Sequence, residues 1–216
     1  MRSLSIAPAE GFEAALRSAD QRERRGEIPP EGYFPYVLAL IGGVSAVLLW
    51  LKVSALVGLR PDSALTYRWG FLVAAALVGA IVGLASQALF GMIAARTPAL
   101  SSGGVKPSDA RLVWGASAGP QIFAVAVLLP LDLLIAGPVS FTSARPPDSL
   151  AAGWAALSVS LGLALAIWSA VIFLRGMAAI GRSGTLRSAA GLVLAVLCSA
   201  VIVAGFRFGA MALVGA

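Results

Sequence analysis

Histidine and asparagine are absent from this chain, and cysteine occurs once, at Cys198 in the last apolar run. Without histidine, neither a Ser-His nor a Cys-His nucleophile pair can be assembled. A lone thiol forms no intrachain disulfide, and with no imidazole beside it there is no zinc site of the usual kind. Charge is scarce as well: Asp, Glu, Lys and Arg together make up 12% of the residues, against roughly 25% in a soluble domain. Asp132 is the single acidic residue inside any apolar run, so no pair of carboxylates exists for an intramembrane aspartyl mechanism. The Gly115-Ala116-Ser117-Ala118-Gly119 segment looks like a nucleophile motif but brings no base to Ser117, and the two lysines, Lys52 and Lys106, fall at the edges of apolar runs. Walker and dinucleotide fingerprints are also missing. The expectation is a protein that is not an enzyme and uses no cofactor and no metal.

What is present is apolar. Hydrophobic residues make up 59% of the 216, with a mean hydropathy of +0.90. The net charge of +6 sits at the ends of the apolar runs, where membrane topology explains it and nucleic-acid binding is not required. Residues 1–32 are polar. Within them Pro8 to Arg25 has helical periodicity, with Phe12, Ala15, Leu16 and Ala19 on one face and Arg22, Arg24 and Arg25 at the end. That pattern fits an amphipathic helix on the cytoplasmic membrane face or a solvated tail. Five spans follow: Phe34 to Trp50, with Lys52 snorkelling at its edge; Trp69 to Ala95; the stretch Lys106 to Gly137; Ala151 to Leu174, closed by Arg175; and Ser188 to Phe206. The expected fold is therefore all-α, a polytopic membrane bundle of five transmembrane helices over residues 33–216 behind a cytoplasmic segment 1–32. Eleven Lys/Arg fall on the side of the N-terminus and five on the other, which predicts an N-terminus in the cytoplasm and a C-terminus outside. Trp50, Trp69 and Trp154 then line the outer interface, and Tyr33, Tyr36 and Trp114 the inner one. Fourteen arginines against two lysines, with abundant alanine, suggest a bacterial chain and hence the inner membrane.

The third span carries the least ordinary interior residues. Gly119-Pro120 and Pro130 are expected to kink it. Gln121 is positioned either to satisfy carbonyls freed by Pro120 or to bond Gln87 of the second span. Asp132 comes twenty residues after Leu112, about 30 Å along a helix, which predicts an outer-interface carboxylate, paired with Arg207 if with anything. Gln87, Gln121 and Asp132 make up the candidate intramembrane polar site. Gly79 and Gly83, Gly115 and Gly119, and Ser158 and Gly162 are spaced four residues apart in three spans, which predicts close helix contacts.

Four features taken together resemble the Yip1 domain family of five-span membrane proteins over about residues 34 to 212. They are a cytosolic N-terminal segment; Gly103-Gly104 ahead of the third span; Pro120 in the first half of that span (SAGPQIF); and Ile167-Trp168-Ser169-Ala170 through Arg175-Gly176 before a short basic loop and an Ala-rich last span. The Asp-Leu-Tyr-Gly-Pro stretch of the eukaryotic branch is absent, so that branch's small-GTPase partners are not carried over. The resemblance implies a non-enzymatic bundle in membrane organisation or trafficking, a scaffold or accessory subunit. Its partners would be membrane lipids and other membrane subunits or further copies of itself. The alternative from the residues is a small-solute or lipid transporter around the kinked third span.

Overall fold

The computed structural model describes residues 33–56, 69–97, 106–141, 149–181 and 185–214, all of it helix apart from turns. Helix α1 is Phe34–Leu56, α2 Trp69–Arg96, α3 Pro107–Ser117, α4 Gln121–Ile135, α5 Ser149–Gly181 and α6 Thr185–Val214. The N-terminal helix expected over Pro8 to Arg25 and the Gly103-Gly104 turn lie outside the described residues.

Helices α1, α2, α5 and α6 are each long and apolar enough to cross a bilayer, and α3 with α4 makes a further crossing if the bent pair is one span. These helices are apolar on every face, as a segment needs to be when lipid is its solvent and its backbone groups must be bonded internally. The chain is a multi-pass membrane protein. Three helices outrun the spans expected from sequence, α1 past Trp50 to Leu56 among them. α5 continues past Arg175 to Gly181, and α6 past Arg207 to Val214. A charge marks where a span leaves lipid, but it breaks no backbone hydrogen bond and so does not end the helix.

Small residues set how closely the helices approach. A Cβ added at Gly43 of α1 would lie 2.1 Å from the Gly79 carbonyl oxygen, and one at Gly83 would lie 2.2 Å from that of Ala39. The register runs antiparallel, Gly43 against Gly79 and Ala39 against Gly83, with backbones touching. Gly115 of α3 meets Pro35 in the same way, at 2.4 Å from its oxygen, and Gly162 of α5 seats Leu49 of α1 at 2.8 Å. Gly119 differs from these: its nearest neighbour is Ala116 of its own turn, at 3.1 Å. It packs against no other helix and belongs to the bend instead.

Two apolar clusters fill the interior. Phe90, Val113, Ile172, Phe173, Met177 and Cys198 join α2, α3, α5 and α6, with the rings of Phe90, Trp114 and Phe173 at centroid distances of 5.2 to 6.2 Å. Leu48, Leu51, Leu72 and Phe141 close the other end.

Candidate functional site

The bend between α3 and α4 is 46°, and it follows from Pro120 having no N–H to give the Ala116 carbonyl. Gly119 N–H takes that carbonyl at 3.1 Å instead. Gln121, Ile122 and Phe123 then donate three residues back, to Ala118, Gly119 and Pro120. The Ala116 carbonyl freed by Pro120 is thus met by backbone in a tighter 3₁₀ pattern, and the Gln121 side chain goes elsewhere. Pro130 acts differently. Residues Ala124–Leu128 form a π turn in which Leu129 N–H reaches the Ala124 carbonyl, five residues back. The widened turn sits just ahead of the position where Pro130 again withholds a donor. At Gly137, with φ of +63°, the chain leaves α4 through a left-handed residue that glycine adopts at no steric cost. The 3₁₀ turn Gly137–Phe141 then carries Phe141 back into the bundle.

Gln87, Gln121 and Asp132 occupy separate places. Gln87 is fully buried, and its amide N–H groups go to the Pro35 carbonyl at 3.1 Å and the Arg111 carbonyl at 2.9 Å. It ties the start of α1 and the first turns of α3 to α2, and does not meet Gln121. Gln121 accepts from the Ser45 hydroxyl of α1 at 2.5 Å and donates to the Ser169 hydroxyl of α5 at 3.0 Å.

Asp132 departs furthest from expectation. It has no exposed surface, and it forms an ion pair with Lys52 of α1 while Trp154 Nε1–H of α5 donates to its other oxygen at 2.9 Å. The expected partner Arg207 has its side chain outside the described residues. Lys52, expected to snorkel out, is itself 8% exposed. It donates also to Ser158 Oγ at 2.9 Å and lies 5.6 Å from the centre of the Phe141 ring. The geometric reason is facial. Ser45 and Lys52 are seven residues apart, two turns, on the side of α1 that faces α4 and α5. Trp154, Ser158 and Gly162 recur every four residues on the side of α5 that faces α1. One end of this constellation therefore pairs a buried cation and anion from different helices, and the other holds an amide between two hydroxyls.

Between the two lies a cavity of about 20 Å³, lined by Ser45, Leu48, Leu49 and Lys52 of α1, Ala124, Leu128 and Leu129 of α4, and Gly162 of α5. The π turn contributes two of these walls. Lys52, Ser45, Trp154 and Ser169 were missed by the sequence reading as members of the site. The signal for Lys52 was the coincidence of one lysine close to the end of one apolar run and one aspartate close to the end of another. Among the described residues no group of three or more His, Cys, Asp or Glu side chains is placed to hold a metal ion.

The arrangement can hold helices in register, bind something the size of water and keep charge away from lipid. No family model matches the chain, and neither a curated protein nor a solved structure matches it significantly.

Proposed function

We propose that the chain crosses the membrane five times, with α3 and α4 as one bent span, and serves as a non-enzymatic scaffold or accessory subunit, as the Yip1 resemblance implies. The observation that carries this reading is how the interior polar groups are used. Lys52, Asp132, Ser158 and Trp154 engage one another, and Gln121 engages Ser45 and Ser169. The space left between them is about 20 Å³, whereas small-molecule sites run to roughly 300–1,000 Å³. Such polar groups act as cross-braces between helices.

The orientation that goes with this reading has the N-terminus in the cytoplasm and the C-terminus outside. Lys52 is internal and paired, so it no longer counts as a loop charge. The Lys/Arg bias becomes eleven against four, which favours the same orientation more strongly. The membrane is a bacterial inner membrane on this reading, and the partners are lipids and other membrane subunits or further copies of the chain.

A second reading, small-solute or lipid transport, draws on the 46° bend and the π turn beside the polar groups, since broken helices line many transport sites. Extraction in mild detergent followed by native mass spectrometry, alongside flux into liposomes, separates the two. A stoichiometric partner or oligomer and no flux is the expected result. A bare monomer whose flux is lost in Asp132→Ala and Gln121→Leu would overturn the scaffold in favour of transport.

A further inference from the structure

We propose that the cavity between the two polar clusters binds one water molecule, held by Lys52 Nζ and Ser45 Oγ, and that this water joins them into a single hydrogen-bonded file through α1, α4 and α5. The proposal rests on the geometry of the site and stands whether the protein is a scaffold or a transporter.

The first argument is donor accounting. A lysine ammonium has three N–H donors. Asp132 and Ser158 take two. The Phe141 ring, 5.6 Å away at its centre, still attracts the cation but is beyond hydrogen-bond reach. Lys52 lines the cavity, and the third donor is left to it. At the opposite wall Ser45 gives its proton to Gln121 Oε1, so its oxygen presents lone pairs to the same space.

Size and charge then select the ligand. An internal water needs roughly 10–15 Å³ of such volume and two or more polar partners, while cavities with purely apolar walls stay dry. At about 20 Å³ the site takes one water and leaves no room for a solute. A metal cation is excluded by the ammonium in its wall. Gly162 is what keeps the space open: a methyl there would lie 2.8 Å from Leu49 Cδ1, and Leu49 is itself a wall.

With the water in place the file reads Trp154, Asp132, Lys52, water, Ser45, Gln121, Ser169. From Trp154 to Ser169 along α5 is about 22 Å by the helical rise, some three-quarters of a hydrocarbon core of about 30 Å.

The test is a structure of the full chain in nanodiscs at a resolution that shows ordered water, on the wild type and on Ser45→Ala, Gly162→Ala and Ser169→Ala. The expected result is one density peak within about 3 Å of both Lys52 Nζ and Ser45 Oγ. It should be lost in Ser45→Ala, lost in Gly162→Ala as Leu49 swings inward, and retained in Ser169→Ala. A dry cavity in the wild type overturns the proposal, and that measurement decides it even if a variant fails to fold. In crystals of the full chain grown from lipid, an anomalous X-ray peak at the same position after bromide replaces chloride would overturn it too, by showing an anion in its place.

Discussion

Removing one member of the Lys52–Asp132 pair should cost far more than removing both. Asp132 is fully buried and Lys52 8% exposed, so Asp132→Ala removes the counter-charge of a buried ammonium and leaves the Ser158 hydroxyl as its remaining side-chain acceptor, and it strands the Trp154 N–H. Breaking a buried pair from one side costs about 3–5 kcal/mol. Lys52 has an escape that Asp132 lacks. It lies four residues from Leu56, the last residue of α1, about 6 Å by the helical rise, and its stem is long enough to turn towards the interface. Asp132→Ala should therefore fall at the lower end, about 3 kcal/mol. Lys52→Met leaves a carboxylate held by Trp154 alone and should sit at least as high. The double variant Lys52→Met/Asp132→Leu, which replaces the pair with apolar side chains of similar volume, should lie within about 1 kcal/mol of wild type. Reversible unfolding in mixed micelles, followed by tryptophan fluorescence or by helical circular dichroism, measures all four proteins and closes the double-mutant cycle. Additive single effects, with a double variant as unstable as their sum, would show that the two charges do not depend on each other and would refute the pairing.

Two further outcomes follow from the same geometry. Gln121→Leu removes the bonds to Ser45 and Ser169; at about 0.6 kcal/mol each on average in membrane helices, and at most about 1.7, the loss should be about 1–2 kcal/mol in the same unfolding assay, and Ser45→Ala with Ser169→Ala should reproduce it. Gly83→Ala places a methyl 2.2 Å from the backbone oxygen of Ala39, whereas one at Gly153 meets nothing within 4 Å; the first should cost about 1–3 kcal/mol by forcing α1 and α2 apart, and Gly153→Ala should be neutral or slightly stabilising. Equal effects at the two glycines would mean that α1 and α2 do not touch there.

The apolar segments were legible in the sequence because span length and hydropathy depend only on composition along the chain. What was less legible depends on angle around the helix and on partners far away in sequence. Lys52 read as the edge of a span because eighteen apolar residues precede it from Phe34. Its burial follows from lying two turns beyond Ser45 on the face that meets α4 and α5. Asp132 was assigned to the interface by counting residues along a straight helix. Depth along a span does not say whether a side chain faces lipid or protein, and the structure turns Asp132 inward onto Lys52 and Trp154. Gln87 and Gln121 each have a buried polar setting, yet the choice of partners, Pro35 and Arg111 for one and Ser45 and Ser169 for the other, is fixed by which helices cross where. The Asp132–Arg207 pairing rests on complementary charge alone, and Lys52 of α1 supplies that complement.

Why a membrane bundle should keep a buried ion pair is answered by register. Gly79 and Gly83 are four residues apart on α2, and so are Ala39 and Gly43 facing them on α1. A small-on-small seam with that repeat is nearly as well packed after a slip of one turn, about 5.4 Å, and the lipid-facing sides of the two helices, being apolar, do not penalise the shift. The polar groups do penalise it. A slip of α1 by one turn carries Lys52 away from Asp132 and Ser158, and Ser45 away from Gln121, at the cost of stranding an ammonium and a carboxylate together. The pair then contributes little net stability but selects one register among packings of similar energy, as single buried polar residues do in coiled coils. Spin labels on exposed Ala46 of α1 and Val78 of α2, with Cys198 replaced by alanine, report that register as an inter-label distance. The wild type should give one narrow distribution. Lys52→Met/Asp132→Leu, equally stable, should gain a second component displaced by up to about 5 Å. One narrow distribution in both proteins would assign the register to the glycine seam and reduce the ion pair to an ordinary brace.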